Sequence, residues 1–237
     1  MQRAIIVGAS SGIGEALARA LADEGYEIGL AARRTERMRA IGDELPTKSY
    51  VATMDVTDTD DAREGFVELA EAMGSVDLVV VNAGVAPLNR DLEWEPERET
   101  IDVNVRGFTA IATAAMDYFD SQGGGHLVGI SSVGALLGNP SAPAYSASKA
   151  FVSRYLEGLR SRQARRETDV TITTIEPGFV DTELSYGSFW ECSPETAASQ
   201  IARAIQTQKS HAYVTRRWRL VAWVLMALPE PVLRRLL

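Results

Sequence analysis

The sequence predicts a single α/β domain, built as one doubly wound parallel sheet with helices on both faces. Three observations carry that prediction. Short, nearly uninterrupted apolar runs alternate with longer amphipathic stretches from the first residues onward, as expected for strands buried on both faces and the helices that cover them. A glycine-rich turn follows the first run, and polar or small residues stand at the ends of later ones: Asp55, Asn82-Ala83-Gly84, and Ser131 with Ser132. With 237 residues, 46% of them hydrophobic, the chain can fill one large core and needs no second.

The first run, Arg3–Val7, leads into Gly8-Ala-Ser10-Ser11-Gly12-Ile13-Gly14, then a helical pattern over Glu15–Glu24 closed by Gly25. Strand, glycine loop and helix in this order can bind a pyrophosphate. Glycines let it approach the backbone, and the free N–H groups and positive dipole of the helix start meet its charge. The turn, from Gly8 through Ser10, Ser11, Gly12 and Ile13 to Gly14, is therefore the expected dinucleotide-binding segment of a Rossmann-type sheet.

The second run, Glu27–Ala32, should end beside the adenosine ribose. An NAD-binding chain carries an acidic residue there, about 20 residues past the glycines. Here Ala32 is followed by Arg33 and Arg34, whose guanidinium geometry suits a phosphate and points to NADP(H), Arg33 more than Arg34. The competing use of both is to open a solvated helix reaching Leu45.

The alternation continues with strand Ser49–Met54 and helix Asp60–Met73, then strand Asp77–Val81 and one long helix, Pro96–Tyr118. Strand Leu127–Ile130 precedes the helix of Tyr145. Strand Val170–Ile175 is stopped by Glu176-Pro177-Gly178, and helix Pro194–Gln208 and a last strand, His211–Thr215, follow. Strands one to three and four to six would form the two halves of the sheet, with ligands at their carboxyl ends. Inside the long helix, Asn104 and Gly107 are poor helix formers. Asn104 is expected to hold a water or a backbone group through a local kink, or to be a satisfied core amide.

Tyr145 and Lys149 stand four apart, so on a helix they share one face, roughly 6 Å apart along the axis. A neighbouring ammonium favours a phenolate, which would let Tyr145 exchange protons at working pH. Alone, the spacing reads more readily as a core tyrosine beside a solvated lysine. Residues 183–194 carry Tyr186, Phe189 and Trp190 and read as a substrate lid or as a self-packed loop.

Trp218–Leu228 is strongly apolar, but its length falls short of the about 20 residues a bilayer requires. We divide the chain into a catalytic domain, 1–215, and a helical extension, 216–237. The extension would pack on the body, on a sister subunit or, aided by Arg216, Arg217 and Arg219, at a membrane surface.

A net charge of −8 and a sequence pI near 4.9 argue against a nucleic-acid binder. One cysteine, Cys192, excludes an intramolecular disulfide, and the paired spacing of a zinc site is absent. With Met1 leading almost directly into a strand, no secretion signal is expected and the cytoplasm is the expected location. His126 and His211 lack a partnered motif and are expected to be structural or exposed, with Cys192 on the lid or surface.

Taken together, Gly8-x-x-x-Gly12-Ile-Gly14, Asn82-Ala-Gly84, Asn104, Ser132, Tyr145-x-x-x-Lys149 and Pro177-Gly178 resemble the classical short-chain dehydrogenase/reductase superfamily, over Ala4 to about Thr182. Ser132, thirteen residues before Tyr145, makes the match specific. The resemblance implies a tetrad of Asn104, Ser132, Tyr145 and Lys149 acting on an alcohol or ketone held against the nicotinamide of NADP(H). Ser132 would orient the substrate oxygen and Tyr145 would transfer the proton. Lys149 would lower the Tyr145 pKa and hold the ribose, while Asn104 would anchor a relay water.

It further implies that Asp55 and Val56 contact adenine, that Asn82, Ala83 and Gly84 steady the central strand beside the cofactor, and that Pro177, Gly178, Val180 and Thr182 hold the carboxamide end. Val7 and Val81 replace the family's usual threonine and asparagine. The expected partners are a small alcohol or ketone in an apolar or mixed pocket formed by Val85, Leu136, Leu137 and the lid aromatics, and further copies of the chain in a homodimer or homotetramer. The alternatives are an epimerase or dehydratase on the same fold and a non-catalytic NADP(H)-binding regulator.

Overall fold

The computed structural model describes residues 1–229 apart from Tyr186 and Ser188, with Met226 described by its backbone alone. Seven strands form one parallel sheet: β1 (Arg3–Val7), β2 (Glu27–Ala32), β3 (Ser49–Thr53), β4 (Leu78–Val81), β5 (Gly124–Ile130), β6 (Asp169–Pro177) and β7 (His211–Val214). Their order is β3-β2-β1-β4-β5-β6-β7, so the winding reverses between β1 and β4. Val7 there pairs with Ala31 on one side and Val81 on the other. Such a reversal opens a crevice at the strands' carboxyl ends.

Alternate residues of β1 feed opposite cores, as a strand period of two requires. Ala4 and Ile6 join the helices α1 (Gly12–Asp23), α2 (Thr35–Glu44) and α7 (Pro194–Gln206). Ile5 and Val7 join α3 (Thr59–Met73), α5 (Phe108–Gln122) and α6 (Pro143–Gln163). The remaining helices are α4 (Trp94–Ile101) and α8 (Trp218–Ala227). Among the described residues no helix is long and apolar enough to cross a membrane.

The structure departs from the sequence reading in one main element. The helix expected over 96–118 is three pieces: α4, a π turn over Asp102–Gly107, and α5. A π turn opens the backbone ladder by one residue and is found mostly where a site requires it. Two side-chain facts favour it here. Asn104 is buried and turns its amide to backbone outside the helix, and a β-carbon on Gly107 would lie 2.7 Å from Val56. Smaller differences concern ends. α1 starts at Gly12, with Ser11 as its extended N-cap, β5 begins at Gly124, and β6 runs through Pro177 to pair with Val214 of β7.

α6 is anchored from α4. Glu97 accepts from the backbone N–H of Ala144 at 3.0 Å and from Asn89 Nδ2 at 2.7 Å, placing a carboxylate at the positive end of α6.

Candidate active site

The glycine loop is held by contacts that a side chain would break. Gly8 has φ +90°, and a β-carbon there would sit 2.5 Å from Ala83 N; one on Gly14 would sit 2.1 Å from Gly8 O. Asn82 Nδ2 donates to Gly8 O at 2.8 Å, tying the end of β4 to the loop. Ser11 does not cap α1 with its side chain, which leaves the first N–H groups of the helix free to meet an anion.

These residues open on a cleft of about 350 Å³ lined by Gly8, Ser10, Ser11, Gly12, Ile13, Arg33, Arg34, Asp55, Val56, Asn82, Ala83, Gly84 and Thr182. Arg34 donates to Ser10 Oγ at 3.1 Å and to Ser11 Oγ at 2.6 Å. Arg33 is exposed, and among the described residues its guanidinium makes no hydrogen bond or ion pair. Burial alone would raise the Asp55 carboxyl, but hydrogen bonds from Thr57 and the charge of Arg33 hold it below the usual range. Val180 is buried on a bridge to Cys192, and Thr182 Cγ2 would lie 3.0 Å from a β-carbon on Gly12. Pro177 ends β6 and Gly178 follows it, where the Trp218 indole covers Gly178 rather than leaving it open to the cleft.

The four expected catalytic residues gather where β4 and β5 end. Asn104 Oδ1 accepts from Val85 N at 2.9 Å, and its Nδ2 donates to Val85 O at 2.9 Å and Ser148 Oγ at 3.0 Å. Asn104 thus grips the backbone after Gly84 and ties it to α6. Ser132 Oγ accepts from Gly134 N at 3.0 Å, which leaves its own proton free to point elsewhere. That hydroxyl lies close enough to the Tyr145 phenol to favour the ionised form, yet burial, the larger influence, raises the Tyr145 pKa. Burial lowers Lys149 to about 8. Its Nζ donates to Ile130 O at 3.0 Å and stands 5.8 Å from the centre of the Tyr145 ring. The Lys149 ammonium is turned to a backbone carbonyl, and burial is the larger influence on the phenol. Asn104 and Lys149 still converge, since a β-carbon on Gly84 would meet Asn104 Oδ1 and Lys149 Nζ, each at 3.3 Å.

A supporting network was not legible in the sequence. Ser131 Oγ donates to Lys149 O at 2.7 Å, and Ser153 Oγ lies 2.8 Å from Ser131 Oγ and 2.7 Å from Glu176 Oε1. Glu176 is buried, and its Oε2 is 3.1 Å from His211 Nε2. Burial would raise this carboxyl, but contacts with His211 and Ser153 outweigh it and hold it below the usual range. The available signal was Ser153, one helical turn past Lys149, facing the end of β6. His126 is buried against Thr173 Oγ1 at 2.8 Å, in keeping with a structural role.

The apolar pocket expected from Val85, Leu136, Leu137 and the lid does not form as one surface. Val85 and Leu184 line the cleft, whereas Leu136 and Leu137 line an open depression with Pro140, Pro143 and Ala147. Phe189 and Trp190 stack on each other at 4.7 Å and lean on Trp218 instead of the cleft. Tyr186 lies outside the described residues.

A switch-point crevice with a glycine loop, a free helix start and a half-buried tyrosine beside a buried lysine defines the class: an α/β protein built to hold a nicotinamide dinucleotide. The family model for short chain dehydrogenases matches residues 2–189, and the chain belongs to that family of oxidoreductases. An uncharacterized oxidoreductase of Mycobacterium tuberculosis is 34% identical over 99% of this chain and 96% of its own length. Another, of Myxococcus xanthus, is 40% identical over 77% and 73%. Among solved structures, an alcohol dehydrogenase from Thermococcus sibiricus complexed with 5-hydroxy-NADP is 27% identical, with TM-score 0.78 and 90% and 95% of the two chains covered. A 3-ketoacyl-ACP reductase from Sinorhizobium meliloti is 26% identical, with TM-score 0.78 over 89% and 96%.

Proposed function

We propose that the protein is an NADP(H)-dependent oxidoreductase that interconverts a secondary alcohol and a ketone. The observation that carries this reading is the convergence of Ser132, Tyr145 and Lys149 beside the cleft of the glycine loop. The nicotinamide supplies the hydride chemistry. On this reading Gly8 to Gly14 would hold the pyrophosphate, Arg33 the 2′-phosphate, Asp55 and Val56 the adenine, Asn82 to Gly84 and Lys149 the ribose, and Val180 and Thr182 the carboxamide.

Tyr145 donates its phenolic proton to the carbonyl oxygen in reduction and takes it back in oxidation. The neutral phenol carries the proton that reduction requires. Ser132 orients the substrate oxygen with the proton that Gly134 leaves free. Lys149 brings a positive charge next to Gly84 without a carboxylate to neutralise it among the described residues. Asn104 fixes the Val85 backbone at the mouth of the cleft. The preference for NADP(H) is supported by Ala32 in place of an acid, by two arginines lining the cleft, and by the 5-hydroxy-NADP complex of the Thermococcus sibiricus relative.

The test is oxidation of NADPH and of NADH against a panel of ketones, with the reverse reaction on the matching alcohols. Turnover with NADPH is expected. Tyr145→Phe should reduce it by at least roughly a thousandfold while NADPH still binds; equal turnover by the variant would refute the assignment.

A further inference from the structure

Helix α8 is fixed to the body by one face. Trp218 and Ala222 are buried, and the Trp218 indole meets Phe179, Phe189 and Trp190 edge-on at 5.8, 5.9 and 6.1 Å. A β-carbon at Gly178 would lie 1.8 Å from Trp218 Nε1, so the glycine is what admits the indole. The opposite face carries Leu220, Trp223 and Val224, spaced as neighbours on a helix and 62%, 54% and 58% exposed. Phe189 and Trp190, themselves exposed, pack on Trp218 at the inner side of the helix. Three large apolar side chains thus face outward together on one helix face, more than the single scattered residues a surface ordinarily shows.

Cations border this surface. Arg203, Lys209, Arg216 and Arg219 line a cavity of about 610 Å³ beside Trp223, and no carboxylate lines it. Arg219 lies over the Trp223 ring at 4.7 Å, and Arg217 over the Trp190 ring at 5.1 Å. None of Arg203, Lys209, Arg216, Arg217 and Arg219 has a carboxylate partner among the described residues. Positive charge is therefore gathered here in a chain whose net charge is −8. The sequence that follows α8 carries Arg234 and Arg235 among leucines, along with Glu230.

We propose that this face docks on the surface of an anionic lipid bilayer. The arginines and Lys209 meet the headgroup phosphates, while Leu220, Trp223 and Val224 enter the boundary between headgroups and acyl chains. Charge decides against a second copy of the chain. A two-fold contact sets one patch against itself, which would oppose these unpaired cations to their own equivalents. α8 has ten residues and lies on the bilayer rather than spanning it.

The experiment is sedimentation of the full chain with vesicles of phosphatidylcholine alone and of phosphatidylcholine mixed with phosphatidylglycerol, at low and high NaCl. Binding to the mixed vesicles and not the neutral ones, weakened by salt, is expected. Arg216→Gln with Arg219→Gln should weaken it by roughly 25-fold, about fivefold for each cation. Leu220→Ser with Trp223→Ser, at exposed positions, should weaken it by roughly tenfold, with thermal melts confirming that both variants fold. The proposal is overturned by absence of sedimentation with anionic vesicles, by equal binding of either variant, or by sedimentation velocity showing a dimer that Leu220→Ser with Trp223→Ser dissociates.

Discussion

At the scale of residues, the two arginines after β2 divide a task the sequence treats as one. Arg34 is spent on Ser10 and Ser11, so it braces the phosphate loop, while the guanidinium of Arg33 stands uncommitted at the cleft. Arg33→Ala should weaken NADPH relative to NADH by roughly thirtyfold, the value of a charge-assisted contact of about 2 kcal/mol. Arg34→Ala should weaken both cofactors together. Fluorescence titration with each nucleotide separates the outcomes, and unchanged selectivity in Arg33→Ala would refute the assignment.

His126 makes a pH prediction. Burial pushes it down to about 4 from 6.5, so between those values the unfolded chain binds the extra proton. The contribution is complete above pH 6.5 and is lost as pH falls towards 4, amounting to roughly 3 kcal/mol. Denaturant unfolding of wild type and His126→Gln across this range should show the wild type losing more stability on acidification. Parallel losses would remove His126 as the cause.

Among the elements, the π turn has the clearest consequence. Its opened ladder lets Asn104 make both backbone bonds to Val85, so Asn104→Ala leaves an N–H and a C=O without their partners. The expected cost is roughly 2 kcal/mol of stability, read as a lower melting temperature, together with weaker cofactor binding because the segment after Gly84 loses its anchor. A variant with unchanged melting and binding would show that water replaces the amide at no cost. The sequence marked the place, since Asn104 and Gly107 are poor helix formers in an apolar stretch. It did not specify a π turn, because the compensating partners, Val85 and Val56, come from other segments of the chain. The same holds for Glu97, whose reach to the start of α6 depends on how α4 is set against it.

For the whole molecule, the sheet and the distribution of charge operate at different ranges. The winding reversal between β1 and β4 gathers residues from five strand ends into one crevice, while the face of α8 concentrates cations on an otherwise acidic chain. Much of this could be read beforehand. Runs of apolar residues at strand spacing determined the sheet and its order of elements, and glycines whose β-carbons would strike backbone marked the phosphate loop, because both are local constraints of sterics and period. What only the tertiary structure decided were quantities set by neighbours distant in sequence. These include the raised Tyr145, the turn of Lys149 towards Ile130, the Glu176–Ser153–Ser131 support and the lean of Phe189 and Trp190 onto Trp218. Desolvation and hydrogen bonding depend on what packs around a group, and residue spacing alone carries no measure of it.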